Sequence, residues 1–315
     1  MPLFKPNWTL LENLRNQFIS ESFSSGSYWT NREILEQYDH TFAQRIGWKW
    51  RSVLHELSEQ NGTQNLEPMS LIDWGCGTGI ASREFLDCVG SQSIKELVLL
   101  DKSPLAVQFA TELISKKHPT LKVETSLSPL KKGKSILLIS HVLNELSPSY
   151  EKELVSLIQK MDLVIWIEPG TPSLSRKLIE RREDLRKYFR VLAPCPHQES
   201  CGLLKSKSTP HWCHFFATVP ATIFRDSFWS EFSKRLKIDL RALPTSFFIL
   251  AKPDLLPTAS PKDRKRLLGR PRHYKGYSLA LVCSQCGVQE EKLLKKRDVE
   301  IIDLISKNSL TLWIP

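Results

Sequence analysis

The chain contains 315 residues, of which 41% are hydrophobic and 25% are charged, so its composition excludes a fibrous or largely disordered protein and suffices for one large domain or two ordinary ones. The 44 Lys and Arg residues outnumber the 34 Asp and Glu residues, and the net charge of +10 favours a polyanionic partner such as nucleic acid. No apolar run approaches the ~18 residues of a membrane helix, and the N-terminus lacks a secretory signal. We therefore expect a cytoplasmic protein without a membrane partner.

The first 67 residues are predicted to form a helical N-terminal cap, because apolar residues recur every three or four positions from Ile34 to Leu57. From Ser70 onward, short apolar runs such as SLIDWG, KELVLLD and KSILLIS alternate with amphipathic stretches. This alternation predicts an α/β domain with crossover helices over a parallel sheet, which we place at residues 68–253.

The last third of the chain departs from this alternation. A segment rich in Cys, His and Pro spans residues 193–216, and TSFFILAKP at 245–253 is predicted to be a late strand of the main sheet. Residues 252–276 hold eight Lys or Arg and two acids, which predicts an exposed basic loop. Within a C-terminal part at 254–315, YSLALVCSQCGVQEEKLLKK predicts a β-hairpin with Gly287 in its turn.

A glycine-rich loop follows the first predicted strand and precedes a helix, with the sequence Asp-Trp-Gly-Cys-Gly-Thr-Gly at residues 73–79. Backbone without Cβ atoms can lie directly against a ligand at such a turn. The spacing is not the G-x-G-x-x-G of dinucleotide sites, so pyrophosphate binding is disfavoured. Asp101 ends the next strand, where its carboxylate can accept hydrogen bonds from both ribose hydroxyls. These features predict a nucleoside pocket.

The pattern D-x-G-x-G-x-G with an acid at the end of the next strand resembles the class I methyltransferases that use S-adenosylmethionine. The resemblance implies that the glycine loop lies against the aminocarboxylate and ribose of that cofactor, and that Asp101 holds the ribose. The residues expected to form the cofactor site are Asp73, Gly75, Cys76, Gly77, Gly79, Asp101, Lys102 and Ser140.

The fourth predicted strand leads into the segment SHVLNEL at residues 140–146, at the sheet edge where open α/β folds place substrates. His141 is a candidate general base, and Asn144 or Glu145 could orient a substrate amine. Alternatively, His141 and Asn144 only shape the wall of the cofactor site. The N/D-P-P-Y/F signature of base-modifying enzymes is absent here.

Three cysteines, Cys195, Cys201 and Cys213, lie within nineteen residues on a stretch rich in Pro, Gly and His. Thiolates on irregular backbone can converge on a metal, whereas cysteines that act as small hydrophobic residues usually lie on strands or helices. Candidates for a fourth ligand are Cys283, Cys286, His197, His211 and His214. The spacing suits zinc or a cubane iron-sulfur cluster and does not choose between them.

Five motifs that follow one another along the chain indicate a more specific family: D-x-G-x-G-x-G, S-x-x-L-N-E-L, E-P-G-T-P, A-P-C-P-H-x-x-x-C and W-C-H-F. From about Leu71 to Gly287 the chain resembles the methyltransferase-like small-ribosomal-subunit protein family, which includes mitochondrial small-subunit assembly proteins and bacterial relatives. The resemblance implies a class I, Rossmann-like methyltransferase fold with a Cys-rich insertion that binds a four-iron four-sulfur cluster, and association with small-subunit rRNA. The implied cluster ligands are Cys195, Cys201, Cys213 and Cys283, with Cys286 as a substitute for Cys283.

Two basic segments flank the cysteines. The helix from Arg176 to Arg190 carries seven basic and three acidic residues, and we interpret it as a solvated face. The loop from Lys262 to Lys275 is predicted to contact RNA phosphates, because acids are scarce there. The residues expected to bind RNA are Arg264, Lys265, Arg266, Arg270 and Arg272.

Three functions fit these patterns. The first is an iron-sulfur protein that binds S-adenosylmethionine and small-subunit rRNA in ribosome assembly, with methyl transfer to the rRNA. The second is a non-catalytic rRNA-binding assembly factor, and the third is a small-molecule methyltransferase with a structural zinc site. The sequence leaves open whether the chain is an enzyme, and we expect a monomer.

Overall fold

The computed structural model describes residues 4–20, 29–59, 69–127, 133–204, 210–255, 265–307 and 313–314. The helices are α1 (Trp8–Ser20), α2 (Arg32–Asp39), α3 (Phe42–Glu59), α4 (Ile80–Val89), α5 (Pro104–Lys117), α6 (Pro148–Ile158), α7 (Pro172–Leu185), α8 (Ser227–Leu236) and α9 (Val299–Lys307). The strands are β1 (Met69–Trp74), β2 (Ile94–Leu100), β3 (Val123–Glu124), β4 (Ser135–Ser140), β5 (Leu163–Pro169), β6 (Arg190–Ala193), β7 (Phe215–Phe216), β8 (Pro244–Ala251), β9 (Lys265–His273), β10 (Tyr277–Ser284), β11 (Gly287–Leu294) and β12 (Trp313–Ile314).

The chain divides into two compact units, each built from non-consecutive segments. The first unit comprises Met1–Arg51, Asn65–Ser147 and Val219–Leu243, and the second comprises Ser52–Gln64, Pro148–Thr218 and Pro244–Pro315. The domain boundaries predicted from the sequence stay a prediction. Within the described ranges, no helix is both long enough and apolar enough to cross a membrane.

The first unit contains a parallel sheet with the strand order β3-β2-β1-β4. Its central strands are continuous apolar runs, as strands covered on both faces must be: Leu71 of β1 pairs with Leu97 of β2 and with Ile136 of β4, and all three are fully buried. Helices α4 and α5 connect successive parallel strands. This order is that of a Rossmann-like doubly wound sheet, so the predicted α/β class is confirmed.

The predicted N-terminal helices are α1, α2 and α3, and aromatic side chains hold α2 and the first part of α3 within the first unit. Trp48 of α3 lies against Trp229 of α8, with ring centroids 5.0 Å apart. Leu35 of α2 packs in a buried cluster with Phe109 of α5. The apolar period read from the sequence is therefore the buried face of these helices.

In the second unit, β5, β8 and β6 pair in that order with antiparallel neighbours, and β7 also pairs with β8. Trp166 of β5 lies opposite Phe248 of β8, and both rings are buried. The late strand predicted at 245–253 is thus confirmed as β8, with its neighbours now identified.

The second unit also contains a smaller antiparallel sheet with the order β11-β10-β9-β12. The predicted hairpin is present as β10 and β11, with Ser284 opposite Gly287 at its turn. The prediction of an exposed basic loop at 252–276 is wrong for Lys265–His273, which forms β9. Leu267 lies opposite Val282 of β10, and both are buried in a core with Ile305 of α9, so two consecutive leucines outweigh the basic composition around them.

Candidate functional site

The glycine loop after β1 adopts left-handed backbone at three positions, with φ of 72° at Gly75, 51° at Gly77 and 74° at Gly79. Residues with a Cβ rarely adopt this conformation, which explains the glycine spacing. The amides of Gly75 and Cys76 donate to the Leu100 carbonyl at 2.8 and 2.9 Å and fix the loop to the end of β2.

The three glycines differ in the space available for a side chain. A Cβ on Gly75 would lie 2.8 Å from Val142 Cγ1, and a Cβ on Gly79 would lie 3.0 Å from Ala110 Cβ. A Cβ on Gly77 would meet nothing within 4 Å. Gly75 and Gly79 therefore allow close packing of the protein on itself, whereas the side of the loop at Gly77 is open to a ligand.

Asp101 lies beside this open position. Its Oδ2 accepts a hydrogen bond from the Gly77 amide at 2.9 Å, and its Oδ1 accepts one from the Ser103 amide at 2.9 Å. Burial raises the pKa of this carboxyl above its ordinary value, while these two amides and Lys102 oppose the rise. A carboxylate has about four acceptor positions, which is more than the backbone amides of Gly77, Lys102 and Ser103 occupy, so a further hydrogen bond can be accepted. Lys102 itself is exposed.

Asp73, the first residue of the glycine-loop motif, connects the loop to helix α4. Its side chain is fully buried, and its Oδ2 accepts hydrogen bonds from the Ser82 amide at 3.2 Å and the Ser82 hydroxyl at 2.6 Å. Asp73 thereby caps the first turn of α4, because Gly79 at the N-cap has no side chain for this purpose. Burial raises the pKa of Asp73 to about 6. The thiol of Cys76 is also buried, and its pKa is raised well above its ordinary value for the same reason.

A polar network ends β4. Lys49 Nζ of α3 lies 3.0 Å from His141 Nε2, and His141 Nδ1 lies 3.1 Å from Ser140 Oγ. Trp50 Nε1 donates to the same Ser140 hydroxyl at 3.1 Å. His141 has a φ of 56°, a conformation that is uncommon for residues other than glycine and is held here by these contacts.

The network assigns the protonation state of His141. An ammonium group only donates, so Nε2 accepts from Lys49 and Nδ1 carries the proton that is donated to Ser140. Burial first, and then the positive charges of Lys49 and Arg45, lower the pKa of His141 well below its ordinary value. These surroundings oppose a role as general base, because proton uptake would place a third positive charge beside two others. Asn144 lies partly exposed on the following turn.

Sequence reasoning missed the contribution of α3 to this site. Lys49 is buried, and so are Trp48 and Trp50, its neighbours in the sequence. A lysine between two aromatic residues in the sequence of an amphipathic helix is the signal that could have identified it, since a buried ammonium needs a partner.

Four cysteines converge in the second unit. Each of the thiols of Cys195, Cys201, Cys213 and Cys283 is close enough to the other three for an electrostatic interaction. Burial is the main cause of a raised pKa at all four, and it raises the pKa of Cys201 to about 11. Cys286 is exposed at the hairpin turn, whereas Cys283 is buried on β10.

Two buried arginines lie beside these thiols. The positive charge of Arg182 lowers the thiol pKa of Cys195 and Cys283. Arg266 lowers the thiol pKa of Cys213 and of the same two cysteines, so both arginines oppose the effect of burial. Arg182 also donates to the backbone carbonyls of His197 at 3.1 Å and Glu199 at 2.6 Å. These bonds fix the segment between the first two cysteines to α7.

The third cysteine is held by hydroxyl groups. Ser175 of α7 and Ser246 of β8 both donate to the Cys213 carbonyl, at 2.7 and 2.8 Å. His197 Nε2 lies 3.6 Å from Cys283 Sγ. Across the described ranges, no group of three or more His, Cys, Asp and Glu side chains is arranged to hold a metal ion, so the predicted metal centre lacks support from the side-chain geometry.

The predicted RNA-binding residues differ in how far their side chains are exposed. Arg264 lies outside the described residues. The prediction is wrong for Arg266, because its side chain is fully buried and bonded to Glu56 and so is not part of a phosphate-binding surface. Lys265 pairs with Glu291 at 2.8 Å and is partly exposed.

Arg270 and Arg272 are exposed on the second half of β9. The Arg270 guanidinium lies 4.1 Å from the centre of the Phe216 ring, and Arg272 pairs with Glu290. On α7, Arg181 pairs with Asp184 at 3.1 Å, as expected for a solvated helix face, but that interpretation is wrong for Arg182, which is buried. The exposed positive charge of β9 is therefore concentrated at its end.

No curated protein gives a significant match to the sequence. Among solved structures, the chain is similar to a protein of Pyrococcus horikoshii proposed to be an RNA methyltransferase, with 15% identity, a TM-score of 0.38, and coverage of 79% of this chain and 98% of that chain. It is also similar to magnesium protoporphyrin IX methyltransferase of Synechocystis with bound S-adenosylmethionine, with 12% identity, a TM-score of 0.38, and coverage of 80% and 100%. A third is a methyltransferase of Aquifex aeolicus dependent on S-adenosylmethionine, with 17% identity, a TM-score of 0.35, and coverage of 50% and 88%.

The family resemblance read from the motifs is confirmed by a match that extends over most of the sequence. Residues 40–307 match the family described as mitochondrial small ribosomal subunit Rsm22, and the chain belongs to this family.

Proposed function

We propose that the chain binds S-adenosylmethionine in the glycine loop and acts on the rRNA of the small ribosomal subunit during its assembly. The observation that carries the proposal is the open side of Gly77, with the Asp101 carboxylate bonded to the same residue. When bound, the cofactor supplies an activated methyl group.

The residues around the loop fit this cofactor. Asp101 has acceptor capacity left for a ribose hydroxyl. Ser140 Oγ accepts from Trp50 and from His141, so its own proton is available to a ligand at the end of β4. An acceptor at β2 and a donor at β4 thus stand on either side of the loop that follows β1.

Association with the small subunit is supported by the family, whose description names the mitochondrial small ribosomal subunit. The exposed guanidinium groups of Arg270 and Arg272 are suited to phosphate oxygens, because arginine donates from a planar fork. Arg270 lies over the Phe216 ring, and Arg272 pairs with the exposed Glu290; exposed ion pairs of the second kind are weak.

We further propose that Cys195, Cys201, Cys213 and Cys283 hold a four-iron four-sulfur cluster. In such a cluster each thiolate binds a different iron atom, so the four sulfurs lie farther apart than ligands to one ion do. The mutual proximity of all four thiols supports the proposal. Arg182 and Arg266 would offset its negative charge.

A second candidate function is a non-catalytic assembly factor in which the cofactor stabilises the fold. The observation that favours it is the protonation state of His141, the candidate general base. Its ring is hydrogen-bonded to Lys49, and burial and the charges of Lys49 and Arg45 keep it neutral.

Calorimetric titration with S-adenosylmethionine tests the cofactor site. Asp101→Ala should weaken binding at least tenfold, because each charge-assisted hydrogen bond contributes ~1.5 to 3 kcal/mol. Asp87→Ala is the matched control, since Asp87 is an exposed acid on α4. Equal affinity of Asp101→Ala and wild type would overturn the assignment.

Transfer of a labelled methyl group to purified small subunits separates the two functions. Label in the rRNA would establish the methyltransferase, and binding of the cofactor without transfer would favour the assembly factor.

A further inference from the structure

We propose that Arg45 and Lys49 of α3 bind the carboxylate of the methionine part of S-adenosylmethionine. This inference deepens the proposed function and rests on it for the identity of the cofactor. It assigns a ligand-binding role to a helix that the sequence identified only as part of a cap.

Arg45 is the first observation. Its Nε atom is buried, and no hydrogen-bond partner is found for it among the residues that the structure describes. Burial lowers the pKa of the guanidinium to about 10. Asp39, an acid on the preceding helix, is bonded instead to Arg83 of α4. A guanidinium in this position needs an anion to offset the loss of water.

Lys49 is the second observation. It follows Arg45 by four residues, which places the two cations on one face of α3, one turn apart. Its side chain is 6% exposed, and its Nζ is 3.0 Å from His141 Nε2. Both positive charges act on His141, so both lie near the end of β4.

The strand order then identifies which part of the cofactor would reach them. Asp101 ends β2, the glycine loop follows β1, and His141 follows β4, with β1 between the other two strands. A ribose held by Asp101 places the methionine chain across the glycine loop toward β4, about 10 Å away at two strand spacings. The far end of that chain carries a carboxylate and an ammonium, and two cations select the carboxylate.

The arrangement is specific to a carboxylate on a nucleoside. Arginine can bind a carboxylate through two parallel hydrogen bonds, with a lysine adding charge on the same face. A nucleoside that lacks this group would use Asp101 and the glycine loop but not Arg45.

Calorimetric titration with two ligands tests the inference within a single variant. S-adenosylhomocysteine carries the carboxylate, and 5′-methylthioadenosine has the same nucleoside thioether without it. Arg45→Met should weaken S-adenosylhomocysteine at least tenfold and change 5′-methylthioadenosine less than twofold. Arg45→Lys should recover part of the loss, and Lys49→Met should show the same selectivity if Arg45→Met does not fold.

Arg51→Met is the matched control, because Arg51 is an exposed arginine of α3 that pairs with Glu84. Equal losses for both ligands in Arg45→Met, or no loss for either, would overturn the inference. If wild-type protein binds neither ligand, the proposed cofactor site fails instead. If Arg45→Met binds S-adenosylhomocysteine normally but loses affinity for small-subunit rRNA, the pair binds a phosphate and the carboxylate assignment is wrong.

Discussion

Glu56 and Arg266 form a buried ion pair between side chains that are 210 residues apart in the sequence. The guanidinium donates to both carboxylate oxygens, at 2.5 and 2.8 Å, and the two side chains are 1% and 0% exposed. Arg266 also lies 4.8 Å from the centre of the Phe215 ring. The pair links α3 to β9 within the second unit.

Glu56→Gln should destabilise the protein by about 3 to 5 kcal/mol, because it removes the carboxylate charge that pairs with the buried guanidinium. Urea denaturation measures this loss. Arg272→Ala, which removes an exposed pair, should change the free energy of unfolding by less than about 1 kcal/mol. The double variant Glu56→Leu/Arg266→Met should recover most of the stability. A Glu56→Gln protein as stable as wild type would show that the pair contributes little.

Replacing Arg270 and Arg272 together by Ala should weaken binding to small-subunit rRNA more at low salt than at high salt. Each phosphate contact that is lost lowers the salt dependence by about one counterion, so the slope should fall by about two. Filter binding over a range of salt concentrations measures it. Arg225→Ala/Arg241→Ala removes two exposed arginines of the first unit and should leave the slope unchanged. An unaltered slope in the β9 variant would move the RNA site elsewhere.

Asp73 should make the protein less stable as pH rises through its titration. Its pKa is about 6 when folded, against 3.8 for a free side chain, so the folded state binds the proton more tightly. The contribution of this carboxyl is complete below pH 4 and is lost by pH 6 to 7, with a magnitude of about 3 kcal/mol.

Asp73→Asn removes this titration. We expect the difference in unfolding free energy between wild type and variant to shift toward the variant as the pH rises from 4 to 7. Chemical denaturation at several pH values measures the shift. A difference that stays constant with pH would mean that Asp73 titrates normally.

Cys283→Ser should remove the iron of anaerobically purified protein, and Cys286→Ser should not. Cys283 is buried among the other three thiols, whereas Cys286 is exposed at the hairpin turn. Iron analysis and the visible absorbance spectrum report the cluster. Loss of iron in Cys286→Ser but not in Cys283→Ser would make Cys286 the fourth ligand in place of Cys283. Zinc without iron in the wild-type protein would show that the chain holds no iron-sulfur cluster.

The parts of the fold that were predictable have local signals. The glycine loop and β1 are encoded in adjacent residues, because a buried strand is a short apolar run and left-handed backbone selects glycine at Gly75, Gly77 and Gly79. The hairpin of β10 and β11 was found for the same reason.

What was missed depends on contacts between distant residues. Arg266 lies in a basic segment and resembles a surface residue until Glu56 is found beside it. Arg45 and Lys49 lie in a helix whose period identifies the buried face but not what that face encloses. Composition averages over neighbours in sequence, so it cannot identify the one arginine that points inward.

Strand β11 stands at one end of the described order of the small sheet, and Gly202 lies against its first two residues, Gly287 and Val288. Its central residues are Gln289, Glu290, Glu291 and Lys292. Charged side chains on an edge strand oppose the addition of a strand from another molecule. Replacing Glu290 and Glu291 by valine should keep the strand but make this edge more prone to pair with a strand of another molecule, with aggregation at high concentration as the expected result.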